Sequence, residues 1–351
     1  MSSEAFQWLL EGPLPIRGVA DICVAYSKEL QGLLLHEFRC PSKRLVVAEV
    51  PGCSQVVFGT DDGYIFVWDA VTNQRVMLMR HHMWISATAA ITDSLLAVGD
   101  WAGNVRILER ARDHTRSLHV LQGHTNCIDV FSVLPDGLLV SGSSDHTMCV
   151  WDARRGLCIN KVEGHTGAVC VLTLLPNGKI VSGSADHTVR VWDTTTWTCL
   201  WTLVGHHDGV CSVVAMSASS IASGSSDGTV RLWDLSVGVC VQVFTGHSDS
   251  VWSLAVLPDG SLVSGAGDGS VRVWNGGDCT HVLEHEAAVY QLVVLADGRL
   301  ASCSADQTVR IWNGASCVHV LRHQTSVIDL KLLANGLLIA SCSKGQVSAW
   351  Q

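Results

Sequence analysis

Strong basic clusters and long apolar runs are both missing from this chain. Charged residues make up only 16% of its 351 residues, and the net charge is −9 with Lys and Arg scattered singly. Nucleic-acid binding requires a clustered basic face that neutralises phosphates, so we expect no nucleic-acid partner. No stretch approaches the roughly 20 apolar residues of a membrane-spanning helix, so we expect no membrane insertion. The N-terminus has no basic segment ahead of an apolar one, and we expect a cytoplasmic protein, with the nucleus as the alternative.

Metal and cofactor motifs are also missing, although cysteine is abundant. The 14 cysteines include no CxxC pair with which a zinc site could begin. Cys158, Cys199 and Cys240 are spaced 41 residues apart, and Cys279 and Cys317 follow at the equivalent position. Repeat-equivalent residues lie in different structural units. We therefore expect no metal site and no cofactor, and we expect the cysteines to be small buried apolar residues in a reducing compartment.

A 27-residue interval that opens on a His and closes on a Trp occurs six times. The pairs are His124/Trp151, His165/Trp192, His206/Trp233, His247/Trp274, His285/Trp312 and His323/Trp350. Five of these intervals also contain a Ser ten residues before the Trp and an Asp six before it: Ser141/Asp145, Ser182/Asp186, Ser223/Asp227, Ser264/Asp268 and Ser302/Asp306. A repeat period of about 40 residues predicts the blades of a propeller, in which each unit buries its apolar face only against its neighbours.

One repeat contains the signals of four short strands. Residues 168–175 are nearly all apolar, as in a strand buried on both faces, and Asn177-Gly178 is typical of a tight hairpin turn. Residues 179–184 predict the next strand. Residues 188–192 alternate β-branched and polar side chains, and residues 198–204 predict an outer strand. The sequence therefore predicts an all-β protein built from four-stranded antiparallel blades.

The recurring polar residues predict a hydrogen-bonded network inside each blade. The indole of Trp192 can donate to the Ser182 hydroxyl, which donates to His165, whose other ring nitrogen donates to Asp186; buried polar groups need such partners. A Ser, a His and an Asp also suggest a hydrolase triad. Five tandem copies on strands next to a Trp favour the structural interpretation, so we expect no enzyme and no catalytic residue.

The Gly-His and Trp-Asp pairs and their spacing resemble the WD40-repeat family of β-propellers. The residues that carry this resemblance are Gly123-His124…Trp151-Asp152, Gly164-His165…Trp192-Asp193, Gly205-His206…Trp233-Asp234 and Gly246-His247…Trp274-Asn275. We expect eight blades, with seven as the alternative. The resemblance implies a ring closed by an N-terminal strand, which would remove an exposed sheet edge. We predict an N-terminal extension over 1–30 and a single propeller domain over 31–351, with the closing strand at 31–39.

Three units depart from the pattern. Unit one has Phe58 in place of the Ser, and unit two has Ala102 and Leu108 in place of the Asp and the Trp. We interpret unit eight as one residue short after Ser343 and lacking the Asp. These units are therefore expected to depend more on apolar packing than on the polar network.

The resemblance implies a rigid platform that binds partners on its narrow face, around the central channel. Each blade contributes two rim positions to this face: the residue after the first apolar residue of the inner strand, and the residue before the Asp of the tight turn. The partner-binding residues predicted on this basis are Trp101, Asp129, Trp252, Tyr290, Ile328 and Lys344. Trp252 could equally fill the core. Aromatic side chains dominate the energy of interface centres, and the predicted rim has no Arg for phosphate recognition.

These features predict a scaffold that binds an unphosphorylated peptide or protein through an apolar or aromatic anchor. We expect a monomeric propeller that acts within a larger complex. The alternative is a substrate-recognition subunit in ubiquitin-dependent protein turnover.

Overall fold

The computed structural model describes residues 34–40, 45–51, 53–110 and 115–351. The predicted extension over 1–30 and the first three residues of the predicted closing strand lie outside the described residues. Every regular element within the described ranges is a β-strand.

After the first strand, β1, the strands of successive blades follow one another along the chain. Their bounds up to blade 4 are β1 Leu34–Arg39; blade 1, β2 Leu45–Glu49, β3 Gln55–Thr60, β4 Tyr64–Asp69 and β5 Arg75–Arg80; blade 2, β6 Ile85–Ala90, β7 Leu95–Asp100, β8 Val105–Arg110 and β9 Thr115–Leu121; blade 3, β10 Ile128–Val133, β11 Leu139–Ser143, β12 Met148–Asp152 and β13 Leu157–Val162; blade 4, β14 Val169–Leu174, β15 Ile180–Ser184, β16 Thr188–Trp192 and β17 Cys199–Val204.

The second half of the ring has the same arrangement. Its bounds are blade 5, β18 Val210–Ala215, β19 Ser220–Ser225, β20 Val230–Asp234 and β21 Val239–Phe244; blade 6, β22 Val251–Val256, β23 Leu262–Ala266, β24 Ser270–Asn275 and β25 Asp278–Glu284; blade 7, β26 Val289–Val294, β27 Leu300–Ser304, β28 Thr308–Asn313 and β29 Ser316–Arg322; blade 8, β30 Val327–Leu332, β31 Leu338–Cys342 and β32 Gln346–Trp350.

Each blade is an antiparallel sheet, and in blades 1 to 7 its strands pair in chain order from the inner strand outwards. The inner strands of neighbouring blades pack against one another, and the contacts continue from blade 8 to blade 1. The prediction of eight blades is therefore confirmed, and the alternative of seven is wrong.

The N-terminal strand closes the ring as predicted. β1 is the outer strand of blade 8 and pairs antiparallel with β32, where Leu34 lies opposite Trp350 and Arg39 opposite Gln346. The backbone N–H of Cys40 donates to the Gly345 carbonyl at 2.8 Å. The N–H of Ala334 in blade 8 donates to Glu49 Oε1 in blade 1, also at 2.8 Å. Pairing of the two ends removes a sheet edge that would otherwise be exposed.

The core consists of apolar side chains from adjoining blades. One cluster joins Val181, Val189 and Leu203 of blade 4 to Val210 and Ile221 of blade 5. A glycine in the second strand permits this close approach. A Cβ on Gly183 would lie only 2.7 Å from Val210 Cγ1 of the next blade. Burial of this kind contributes roughly 25 cal/mol per Å² of apolar surface, and it therefore stabilises the contact between neighbouring blades.

The repeated cysteines of the outer strands are not buried, and the prediction of burial is wrong for them. Cys158, Cys199, Cys279 and Cys317 are exposed, and Cys240 is half-buried. Each thiol donates to the carbonyl of the residue two positions later, at 3.2–3.5 Å. Next to each of these cysteines, the pairing between the outer strand and the third strand shifts register at a bulge. The outer strand has no neighbouring blade beyond it, so a small polar side chain there bonds locally instead of filling a core.

Candidate partner-binding face

The polar residues of blade 4 form a continuous hydrogen-bonded chain. Trp192 Nε1 donates to Ser182 Oγ at 2.8 Å, and Ser182 Oγ donates to His165 Nε2 at 2.7 Å. The other ring nitrogen, His165 Nδ1, donates its proton to Asp186 Oδ2 at 2.8 Å. Asp186 also accepts the backbone N–H groups of Thr166 and Thr188, at 2.9 and 3.0 Å. The network thus connects two strands, the loop before the inner strand and the tight turn.

The same chain of contacts recurs in blades 3 to 7. The Trp-to-Ser distances are 2.7–2.8 Å, and the Ser-to-His distances are 2.7 Å throughout. The shortest His-to-Asp distances are 2.8–3.1 Å. The residues involved are His124, Ser141, Asp145 and Trp151; His165, Ser182, Asp186 and Trp192; His206, Ser223, Asp227 and Trp233; His247, Ser264, Asp268 and Trp274; and His285, Ser302, Asp306 and Trp312.

The electrostatics of these sets favour a neutral imidazole beside an ionised carboxylate. Burial lowers the pKa of His165, and Asp186 only partly offsets this effect. Burial of Asp186 opposes ionisation, but hydrogen bonds from the Thr188 hydroxyl, the Thr166 N–H and His165 together lower its pKa to about 2. A neutral His therefore carries one proton, and its unprotonated nitrogen accepts from Ser182.

The burial of these residues bears on whether they could be catalytic. Ser182 is fully buried, Trp192 is 2% exposed and His165 is 7% exposed. A nucleophile must reach a substrate, and the hydroxyl of Ser182 already bonds both Trp192 and His165 inside the blade. The arrangement can hold strands together, and it presents no reactive group to a cleft.

Blade 1 replaces the network by aromatic packing, as predicted. Phe58 stands in the place of the Ser, and Phe38 of the closing strand packs edge-on against both Phe58 and Trp68, with ring centroids at 5.6 and 5.0 Å. The indole of Trp68 donates to Asn73 Oδ1 at 3.0 Å instead of to a Ser.

Blade 2 keeps a polar turn that the sequence comparison of the units did not find. Leu108 is fully buried in the place of the Trp. The carboxylate of Asp100, which stands two positions before Ala102, accepts the N–H groups of Ala102 and Asn104, both at 2.9 Å. The sequence analysis placed Ala102 at the Asp position of the repeat and therefore did not identify Asp100.

Blade 8 has its full length, so the prediction that it is one residue short is wrong. Val327 pairs with Cys342 just as Val169 pairs with Ser184 in blade 4. From this register, Lys344 occupies the position of Asp186, and Ser343 occupies the rim position to which Lys344 was assigned. The turn needs no gap because Lys replaces Asp without a change of length.

A β-bulge places the first set of rim residues. In blades 2 to 8 the inner strand shifts register around this residue, which is left out of the pairing. A bulge turns a side chain away from its regular alternation. The bulge residues are Ser86, Asp129, Cys170, Cys211, Trp252, Tyr290 and Ile328.

Trp252 and Tyr290 meet across two neighbouring blades. Their rings are stacked with an interplanar angle of 8° and a centroid distance of 5.2 Å. Both side chains are half-buried, as is Ile328 on blade 8. Trp252 therefore neither fills the core completely nor lies fully open, and Tyr290 also packs against the apolar core between blades 7 and 8.

Trp101 pairs with an aromatic residue that the sequence analysis missed. Trp84, in the loop before β6, is 55% exposed and Trp101 is 48% exposed. Their rings meet edge to face at 5.1 Å, and the N–H of Trp101 donates to the Trp84 carbonyl at 3.1 Å. Met83 beside them is 42% exposed. The sequence does contain a signal for Trp84. The equivalent position of blade 4 holds the small residue Ala168, so a large indole at this position departs from the repeat.

The other predicted rim residues are placed differently from one another. Asp129 is half-buried and accepts a hydrogen bond from Ser144 at 2.6 Å, and its burial raises its pKa. Lys344 is exposed on the turn of blade 8. The structure brings Trp252 and Tyr290 into contact, whereas Trp101 lies on blade 2, which is opposite blade 6 in a ring of eight.

The described residues also bear on two other classes of site. Within the described ranges, no group of three or more His, Cys, Asp or Glu side chains is arranged to hold a metal ion. In the same ranges, no helix has the length and apolar character needed to cross a membrane.

Comparison with known proteins identifies the repeat family. The family model described as "WD domain, G-beta repeat" matches residues 115–152, 156–193, 197–234, 238–275 and 277–313, more than half of the chain. The APC/C activator protein CDC20 of Saccharomyces cerevisiae is 30% identical over 105 residues, which cover 29% of this chain and 17% of CDC20. The chain thus matches less than a third of the length of this relative.

Solved structures match over a larger share of the chain. The computationally designed Ika8 protein is 28% identical with a TM-score of 0.76, over 89% of this chain and 98% of Ika8. The WD40 β-propeller domain of Doa1 is 26% identical with a TM-score of 0.62, over 78% of this chain and 94% of that domain. With the five repeat matches and the eight-bladed ring, these similarities show that the chain belongs to the WD40-repeat family of β-propellers.

Proposed function

We propose that the protein is a non-catalytic scaffold that binds peptide or protein partners on its narrow face. This face is formed by the loops before the inner strands and by the tight turns that contain Asp145 and its equivalents. The observation that carries the proposal is the exposed pair Trp84–Trp101. Two indoles about half exposed and in contact form an apolar surface that water solvates poorly, and Trp is enriched at the energetic centres of interfaces.

The chemistry of the face favours an unphosphorylated partner. Recognition of phosphate usually requires Arg side chains that bind it in a bidentate manner. The corrected rim positions contain no Arg, and Lys344 belongs to the tight turn of blade 8 next to them. An apolar or aromatic anchor on the partner would complement Trp84, Trp101 and Met83. The name of the relative CDC20, an activator of APC/C, is consistent with action on a protein assembly.

Affinity purification from cell extract tests the proposal. The wild-type chain is compared with a variant carrying Trp84→Ala and Trp101→Ala, and bound proteins are quantified by mass spectrometry. We expect a defined set of proteins to be lost, because truncating an interface-centre Trp typically costs about 2 kcal/mol or more. Ubiquitin-ligase subunits among the lost proteins would favour the alternative role in protein turnover.

A matched control removes exposed apolar side chains elsewhere. Leu157 and Ile159 on the outer strand β13 are 56% and 53% exposed, and a variant with Leu157→Ala and Ile159→Ala should retain the set. Equal unfolding temperatures of the three proteins would show that folding is intact. If neither the double Trp variant nor a Trp252→Ala/Tyr290→Ala variant loses any protein, the narrow face is not the binding surface.

A further inference from the structure

We propose that the aromatic stack of blades 6 and 7 binds a basic segment of a partner, one that carries Arg or Lys. This inference rests on the proposed function, because it assigns a chemical class of ligand to part of the narrow face. The surface consists of Trp252, Tyr290 and three carboxylates, Asp208, Asp249 and Glu286.

The aromatic part of the surface suits a cation. Trp252 and Tyr290 are bulge residues of adjacent inner strands, and their nearly parallel rings are only half-buried. A guanidinium or ammonium group is attracted to the face of a Trp or Tyr ring, and the attraction grows when the cation is desolvated. The cation–π pairs found in the described structure involve other rings, those of Phe38, Tyr64 and Trp312.

The charged residues within the loops and turns of blades 5 to 7 are acidic. Arginines of the third strands reach the outer ends of these segments: a Cβ on Gly246 would lie 3.0 Å from Arg272 Nη1, and Arg310 Nη2 lies 3.6 Å from Asp306 Oδ2. Asp208, Asp249 and Glu286 lie on the loops that lead into the inner strands of blades 5, 6 and 7, and all three are exposed. Loop residues 204–209, 245–250 and 285–288 and turn residues 225–229, 266–269 and 304–307 contain no Lys or Arg. The described ion pairs include none of these three carboxylates.

Asp208 and Asp249 differ from the tight-turn aspartates of blades 5 to 7. Asp227, Asp268 and Asp306 are held by histidines and turn N–H groups of the network. By contrast, Asp208 and Asp249 each accept one N–H from the next residue through Oδ1.

The side chain of Asp249 places its negative charge beside the rim. A Cβ on Gly267, the rim residue of the same blade, would lie 2.6 Å from Asp249 Oδ2. The carboxylate thus lies over the turn of blade 6 beside the rim. Complementary charge guides encounter and fixes orientation more than it adds affinity. Lys344 on blade 8 borders the surface on one side, so the basic part of the partner is expected over blades 5 to 7.

Binding of defined peptide probes tests the inference. The probes are fluorescein-labelled dodecapeptides of the repeated tripeptides Arg-Gly-Leu, Gln-Gly-Leu and Glu-Gly-Leu, and fluorescence anisotropy with the full chain gives Kd at low ionic strength. We expect the Arg probe to bind at least about tenfold more tightly than the Gln probe and the Glu probe to bind least. Added salt should weaken the binding of the Arg probe.

Two variants separate this surface from the net charge of the protein. We expect the Arg probe to bind about tenfold or more weakly to a variant that combines Asp208→Asn, Asp249→Asn and Glu286→Gln. The control carries Asp136→Asn, Asp259→Asn and Asp297→Asn, an equal change of charge in turns on the opposite face. Asn already fills this turn position in blades 4 and 8, where Asn177 and Asn335 accept the same N–H bond, so the control should bind the Arg probe like the wild type.

Several outcomes would overturn the inference. Equal binding of the three probes, an absence of binding, or equal loss in the control variant would each do so. If binding survives the three amide substitutions but is lost with Trp252→Leu and Tyr290→Leu, the charge preference is wrong while the narrow face remains a binding surface. Loss of cellular partners from the Trp84/Trp101 variant in the preceding experiment tests the proposed function independently of any preference for basic peptides.

Discussion

Blades 4 and 8 have the same backbone register and the same ring pair but differ in polar contacts. The His165–Trp192 centroids are 6.2 Å apart, and the His323–Trp350 centroids are 5.9 Å apart, both edge to face. In blade 8, Ala340 stands in the place of Ser182 and Lys344 in the place of Asp186. His323 Nε2 and Trp350 Nε1 are then buried without a hydrogen-bond partner among the described residues.

This difference separates the role of packing from the role of hydrogen bonds. Because the rings of blade 8 adopt the arrangement of blade 4 without the hydroxyl and the carboxylate, apolar packing is sufficient to place them. Hydrogen bonds in blade 4 then add stability to a geometry that packing already defines. Burial also lowers the pKa of His323 to about 4, with no carboxylate beside it to oppose this effect.

Acidification should have the largest effect, because it acts at once on the five histidines of the complete blades and on His323 of blade 8. Burial lowers the pKa of His165 and its equivalents below that of the unfolded chain, so the unfolded state binds protons first. Stability is therefore fully present above about pH 6.5 and is lost as the pH falls below that value. Since the pKa of Asp186 is lowered to about 2, a second loss follows between about pH 4 and pH 2. We expect the urea midpoint to fall between about pH 7.5 and pH 5.5, and a constant midpoint would contradict the burial argument.

Removing one carboxylate from a complete blade should have the next largest effect. Asp186→Ala leaves His165 and two turn N–H groups without their acceptor, and we expect a loss of about 1–3 kcal/mol in the free energy of unfolding. The matched control is Lys344→Ala at the same position of blade 8, where the exposed side chain should contribute within about 0.5 kcal/mol. Urea denaturation measures both, and equal effects would mean that the network adds no stability.

Restoring one hydroxyl to blade 8 should have the smallest effect and the opposite sign. Ala340→Ser places an oxygen where Ser182 lies in blade 4, between the indole and the imidazole. We expect a gain of about 1 kcal/mol, the typical net contribution of a hydrogen bond. Ala301→Ser, at a fully buried position just before Ser302 of blade 7, should not stabilise because it adds a hydroxyl outside the network. A loss of stability in Ala340→Ser would show that blade 8 is packed too tightly to accept it.

The sequence predicted most of the fold because the repeats report it several times over. The spacing of His165, Ser182, Asp186 and Trp192 predicted a network whose members lie within hydrogen-bond distance in five blades. It failed where the same residue type acts from another position, as Asp100 does in blade 2. It also failed for Lys344, since a missing Asp was interpreted as a missing residue, and only the strand register distinguishes the two.

The amino-acid sequence alone determined the four-stranded repeat and the internal network, because these depend on local spacing that recurs along the chain. The closing strand came only from the resemblance to the family, and the structure decided between eight blades and seven. Tertiary structure decided which rim side chains meet and how far they are exposed. Trp252 and Tyr290 belong to different blades, and Trp84 meets Trp101 across a loop and a turn separated by two strands. Such contacts depend on bulges and on the distances between neighbouring inner strands, and neither leaves a periodic signal in the sequence.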